Sequence, residues 1–223
     1  MNVQKEEVMK TVKKRKNLFG SLAVAVGLII IFFSLSEDLI YNELSAFDET
    51  AGEYIRSYSN AALTNTAIFF TGLGSFVTEL TLGIIFSFIF YYITKEKRYP
   101  LFLFISLLTG WLLNKILKWA FQRKRPTIEQ LVDFQGYSFP SAHAMVSTIF
   151  YGMIMYVLWQ ILKNRGKTAW PFVILTIFLV LAIGLSRVYL GVHYTSDVIA
   201  GYAAGGVWLL ACISVLRSYD KLG

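Results

Sequence analysis

The chain carries one cysteine, Cys212, two histidines, His143 and His193, and four prolines among 223 residues. A single cysteine excludes an intrachain disulfide and any CxxC redox or zinc motif. Cys212 lies within an apolar run and reads as packing. With two histidines, no HExxH and no cysteine partner, a zinc site is the weaker use of the imidazoles. Charge is scarce too: Asp, Glu, Lys and Arg make up 16% of the chain, against about 25% in an average soluble domain. No internal repeat, low-complexity tract or soluble domain is visible.

Apolar residues fill the chain instead. They make up 56% of it, with a mean hydropathy of +0.55, and they come in long blocks without charge. A bilayer core needs about 20 apolar residues per helix. The expectation is therefore an all-α integral membrane bundle of six transmembrane helices, forming a single domain over residues 1–223. The spans are predicted at Leu18–Ser36, Thr64–Ile93, Pro100–Phe121, Ser141–Leu162, Pro171–Ser186 and Asp197–Leu216. The stretch Thr71-Gly72-Leu73-Gly74-Ser75 is a place for the second span to bend. The first block follows Lys13-Lys14-Arg15-Lys16 but has no small-residue cleavage site. It also exceeds the roughly 7–15 apolar residues of a signal peptide, so it reads as a retained span.

The net charge of +7 does not imply nucleic acid, because the basic residues sit at the ends of the apolar blocks. Residues 1–17 form a basic tail; Lys95, Lys97 and Arg98 follow the second span; Lys163, Arg165 and Lys167 follow the fourth; Arg217 and Lys221 end the chain. The positive-inside rule places these segments, and both termini, in the cytoplasm. Glu37, Asp38, Glu43, Asp48, Glu49 and Glu53 follow the first span, against Arg56 alone, which suits the outer side. Tyr91, Tyr92, Tyr99, Trp159 and Trp170 flank the cytoplasmic loops as interfacial anchors. One outer segment breaks the charge rule: Gln122-Arg123-Lys124-Arg125-Pro126. A basic cluster there points to an anion. Arg123 and Lys124 read as weak, screened attractors of anionic lipid.

Charges within or beside spans are costly and mark function by default. Asn114, Lys115, Lys118 and Gln122 share one helix face, either as ligands or as lysines snorkelling at a membrane edge. His193 and Asp197 are four apart, so on a helix the carboxylate can hold Nδ1–H and leave Nε2 free as nucleophile or base. Pro140-Ser141-Ala142-His143 reads as a helix start, either a plain capping turn or an anion site built on outward N–H groups. Arg187, at the end of the fifth span, lies six residues before His193. Glu79 is a lone carboxylate in the second span; it either pairs with Lys115, selects a head group, or makes a structural polar contact. Three cations, a helix N-terminus and two histidines suit a phosphate group, whose transfer depends on positioning and charge stabilisation.

Three spaced motifs carry a resemblance. Lys118 is followed after six residues by Arg125-Pro126; then comes Pro140-Ser141-Ala142-His143; then Ser186-Arg187, His193 and Asp197 in S-R-x5-H-x3-D spacing. This resembles the type-2 phosphatidic acid phosphatase superfamily of membrane lipid phosphatases, with residues 118–197 as its motif-bearing core. Ala142 departs from the family, which has glycine there.

The resemblance implies a metal-independent phosphatase without cofactor. His193 is the nucleophile, forming a phosphohistidine, and Asp197 orients it. His143 is the general acid and then the base. Lys118, Arg125, Ser141, the Ala142 N–H and Arg187 cradle the phosphate. The substrate implied is a lipid phosphate entering from the bilayer at the extracytoplasmic face of a multi-pass cell-membrane protein, with membrane lipids as its surroundings and no obligate protein partner. Phosphatidylglycerophosphate, giving phosphatidylglycerol, stands first and undecaprenyl pyrophosphate second. Phosphatidic acid and diacylglycerol pyrophosphate are side substrates. A lipid or anion transporter is the alternative of another class. It is disfavoured because binding needs no His–Asp dyad and no inverted repeat is present.

Overall fold

A computed structural model describes residues 2–128, 130–132 and 134–219, with residues 2–18 described by their backbone alone. The side chains of the basic tail and Lys221 lie outside the described residues. Among the described residues every element is a helix: α1 (Asn2–Ile40), α2 (Ser45–Ser57), α3 (Ala61–Leu73), α4 (Phe76–Thr94), α5 (Arg98–Phe121), α6 (Ala142–Asn164), α7 (Trp170–Tyr189) and α8 (Thr195–Tyr219). Six helices are long and apolar enough to cross a membrane: the Phe19–Ile40 part of α1, and α4 to α8.

The count of six spans agrees with the sequence, but the second differs. A continuous helix over 64–93 was expected; the structure divides it into α3 and α4. Each of the two helices has its own side-chain cap, and the second of these makes the division. Asn60 Oδ1 accepts from the Leu63 N–H at 2.9 Å and starts α3; Ser75 Oγ accepts from the Thr78 N–H at 3.3 Å and starts α4. Each satisfies an amide that a helix start would leave unpaired. The acidic segment after the first span, read only as a topology marker, contains the helix α2.

α6 is the central helix, with 61% of its spanning window buried, whereas α1 packs at the periphery with 6% buried. The core runs along α6 through Val146, Phe150, Met153 and Val157, packed against Leu103 and Leu107 of α5 and Leu216 of α8. Small residues set the approach of α6 to α8. A Cβ at Gly201 would stand 2.8 Å from the Ser141 carbonyl oxygen, and one at Gly205 would stand 2.5 Å from that of Met145. In lipid, where apolar surface alone does not drive helix pairing, such spacing of small residues lets backbones pack directly. It also brings the N-termini of α6 and α8 together.

The two basic loops share one end of the bundle: Thr94, Glu96 and Arg98 line a common cleft with Asn164 and Arg165. The last turns of α5 and α7 and the first turns of α6 and α8 meet at the other end, beneath the 122–141 loop. Trp159 and Trp170 pack edge to face, with centroids 5.5 Å apart.

Candidate active site

Each motif owes its spacing to a chain reversal. α5 ends at Phe121, and Gln122 adopts a left-handed conformation with φ of 48° that turns the chain back. Lys118 in the last turn and Arg125 beyond it then reach one loop: Lys118 Nζ donates to the Tyr137 and Ser138 carbonyls, and Arg125 Nη2 donates to the Tyr137 carbonyl at 3.3 Å. Between α7 and α8 the turn passes through Gly191, whose φ of 75° is poorly open to side-chain-bearing residues. The His193 N–H returns to the Arg187 carbonyl at 3.3 Å, so five intervening residues bring the imidazole back beside the guanidinium. Ser141 precedes α6, and its N–H donates to the Asp197 carbonyl at 3.0 Å. Asn114 Nδ2 donates to the Pro140 carbonyl at 3.2 Å and fixes the same turn to α5.

His193 is 2% exposed and Asp197 is fully buried. Nδ1 of His193 faces two oxygens, Asp197 Oδ2 at 3.3 Å and Ser138 Oγ at 3.2 Å, and Ser138 Oγ itself donates to Asp197 Oδ2. On the other side Nε2 lies 3.4 Å from Arg125 Nη1, a donor. Acceptors at Nδ1 and a donor at Nε2 place the ring proton on Nδ1 and the lone pair on Nε2. Burial pushes the His193 pKa down to about 3, outweighing the Asp197 carboxylate, which raises it. The ring is therefore neutral at pH 7. Burial also lowers Arg125, against the pull of Asp197.

Arg187 is 1% exposed. Its Nη1 donates to Thr71 Oγ1, while Nε and Nη2 are buried without a hydrogen-bond partner, as is Ser141 Oγ. Buried unpaired donors are expensive, more so on a charged group. The Phe134 ring collects two of the site's cations and its second imidazole: Arg187 Cζ stands 4.1 Å from its centroid, Arg125 Cζ 5.3 Å, and the His143 ring 5.7 Å edge to face. His143 also flanks the α3–α4 break, its Cδ2 3.0 Å from where a Cβ on Gly74 would lie. Three cations thus converge on two imidazoles and unpaired donors, an arrangement suited to a tetrahedral oxyanion. Among the described residues no three His, Cys, Asp or Glu side chains cluster as a metal site would require.

Lys118, Arg125, Ser141, Ala142, His143, Arg187, His193 and Asp197 thus belong to one end of the bundle and to one connected set. Lys115 and Glu79, open between a head-group role and a structural one, do not join this set. Lys115 is exposed, its Nζ 3.8 Å over the Trp111 ring. Glu79 is 1% exposed and accepts from Ser147 Oγ at 2.8 Å. One lysine thus rests on an interfacial aromatic face, and the carboxylate takes a hydroxyl partner on α6 instead.

Arg123 also departs from expectation. It is 12% exposed in its side chain and bridges two carboxylates, Asp48 and Asp197, each at 2.7 Å. These carboxylates hold its pKa up against burial. Asp48, expected only as outer negative charge, is 3% exposed. Ser138 and Phe134 were not anticipated as site residues.

The PAP2 superfamily model matches residues 99–219. Phosphatidylglycerophosphatase B of Bacillus subtilis is 33% identical over 200 residues, which cover 88% of this chain and 94% of that protein. The crystal structure of a transmembrane PAP2-type phosphatidylglycerolphosphate phosphatase from Bacillus subtilis superimposes with a TM-score of 0.80 and 28% identity, covering 88% of this chain and 96% of that one. Lipid A 1-phosphatase of Rhizobium etli is 34% identical over 115 residues, covering 47% of this chain and 45% of that protein. These likenesses, on an all-helical bundle with six candidate spans, agree with the motifs: the chain belongs to the PAP2 superfamily and is a multi-pass membrane phosphatase.

Proposed function

We propose that the chain hydrolyses a lipid phosphomonoester through a phosphohistidine on His193. The observation that carries this is the placement of its ring, with Nδ1 on Asp197 and Ser138 and Nε2 turned to the cations. The Nε2 lone pair attacks phosphorus and forms the P–N bond as the P–O bond to the lipid alcohol breaks. His143 gives its proton to the leaving oxygen. It then takes a proton from water, whose oxygen attacks phosphorus and breaks the P–N bond, releasing inorganic phosphate. Lys118, Arg125, Arg187, Ser141 Oγ and the Ala142 N–H hold the phosphoryl oxygens. Fixed donors of this kind act most strongly on charge that builds in the transition state. Asp197 holds the proton on Nδ1 and stabilises the ring as it becomes positive.

Phosphatidylglycerophosphate is the substrate best supported, by the near-complete overlap with a relative named for it. An apolar cavity of about 680 Å³ supports a lipid. Phe70, Phe178, Leu181, Leu185 and Ile199 line it, together with Ser186 and Tyr189 on either side of Arg187. Acyl chains can pack there beside the wall that carries the phosphate ligands. We place the site on the extracytoplasmic side, supported by the basic loops at the opposite end and the positive-inside rule. The test is phosphate release in EDTA by purified protein, with phosphatidylglycerophosphate and undecaprenyl pyrophosphate side by side. A higher kcat/KM for the first is expected. Preference for the second would overturn the substrate, and activity lost on chelation and restored by Mg²⁺ or Zn²⁺ would overturn the metal-free chemistry.

A further inference from the structure

Asp197 uses its two oxygens differently. Oδ2 receives Ser138 Oγ and the Tyr194 N–H, at 2.9 Å, and faces His193. Oδ1 accepts from Arg123 Nη1 at 2.7 Å. Arg123 continues outward: Nη2 donates to Asp48 Oδ2 at 2.7 Å, and Nη1 also donates to Ser196 Oγ at 2.7 Å. Asp48 closes the circuit by accepting the Ser196 N–H at 2.8 Å and Ser196 Oγ at 2.6 Å. The Arg123 guanidinium lies 4.0 Å over the Tyr194 ring. A residue 149 positions before Asp197 in the chain, on a helix outside the six spans, is thus two hydrogen bonds from its carboxylate.

The charges make the arrangement more than a clamp. Arg123 paired with Asp197 alone would form a neutral unit and cancel the negative charge that an imidazolium needs. The second carboxylate restores a net charge of −1 over Asp48, Arg123 and Asp197. A guanidinium shared between two carboxylates also has its planar fork fixed at both ends. We propose that Asp48 is a positioning residue for phosphoryl transfer. Acting through Arg123, it fixes the Asp197 carboxylate and keeps the cluster negative as positive charge develops on His193. The proposal rests on His193 being the nucleophile.

The test is Asp48→Asn, which is nearly isosteric, removes the charge and turns one of two accepting oxygens into an N–H donor. kcat falls by about tenfold to a hundredfold, the equivalent of one charge-assisted hydrogen bond. KM stays within about twofold, because the group acts on the transition state. In ¹⁵N-histidine spectra the His193 resonances shift and those of His143 stay in place. In an Asp197→Asn background the same substitution costs less than about twofold, as coupled residues require. If Asp48→Asn does not fold, Arg123→Lys asks the same question, since an ammonium keeps the charge but cannot bridge both carboxylates. Wild-type kcat, a change in KM alone, or an equal loss in both backgrounds would overturn the role of Asp48. Substantial turnover by His193→Ala would overturn the nucleophile and this role with it; an inactive His193→Ala beside a fully active Asp48→Asn overturns the role of Asp48 alone.

Discussion

His193 Nδ1 lies 3.3 Å from Asp197 Oδ2, while Asp197 Oδ1 is taken by Arg123 at 2.7 Å. The carboxylate is thereby held from both sides, and the imidazole meets a fixed acceptor. An acceptor with no freedom to turn costs little reorganisation when the ring becomes positive.

Asp197→Asn keeps the shape of the side chain and removes its charge. The amide can also present an N–H to Nδ1 and favour the wrong tautomer. Steady-state kinetics should show kcat lowered by about 10²- to 10⁴-fold with KM little changed. A rise in KM at constant kcat would show that Asp197 serves substrate binding.

The close approach of α6 and α8 makes Gly201 a test of how the fold builds the site. A Cβ there meets the Ser141 carbonyl oxygen at 2.8 Å and Ala144 Cβ at 2.9 Å. Gly201→Ala must push α6 from α8 and displace Ser141 and His143. Thermal unfolding in detergent should show a loss of about 1–3 kcal/mol, as for overpacking elsewhere, together with reduced kcat. Gly72→Ala is the control, because nothing stands within 4 Å of its added Cβ; equal behaviour of the two variants would contradict the packing.

The protonation of His193 sets a pH dependence. Its ordinary pKa is 6.5, and burial takes it to about 3 in the folded chain. Between these values the unfolded chain binds a proton that the folded chain refuses, so this group's contribution makes stability fall as pH drops from 6.5 toward 3. Above pH 6.5 both states are neutral at this ring and the contribution vanishes. With two histidines in the chain, ¹⁵N NMR can follow His193 directly. It should remain neutral at pH 5; titration near 6.5 would contradict its burial and pairing.

The membrane class and the span count were legible because bilayer burial demands long uncharged helices, which composition alone reveals. The motif residues were legible because short turns set their spacing: Gly191 returns His193 to Arg187, and Gln122 turns the chain between Lys118 and Arg125. Asp48 was not legible. It meets Arg123 75 positions on and Ser196 148 positions on, and an acidic residue between two apolar blocks looks the same whether exposed or buried. Arg123 was hidden in a run of three basic residues, since periodicity does not say which of them turns inward. The division of α3 from α4 had a visible signal in Gly74-Ser75, but the capping by Ser75 decides it. Of the alternatives open for Glu79 the sequence could not choose, since its partner Ser147 lies 68 positions on, while Lys115 rests on Trp111.

The most direct measurement is single-turnover phosphate transfer from phosphatidylglycerophosphate, quenched at alkaline pH and read by mass spectrometry, beside turnover of His193→Ala. A phosphoryl group on His193 in the wild type is expected. So is a folded His193→Ala with no measurable turnover, because no other side chain takes the nucleophile's place. Turnover by that variant above a few per cent of wild type, or a phosphoryl group carried on another residue, would contradict the mechanism.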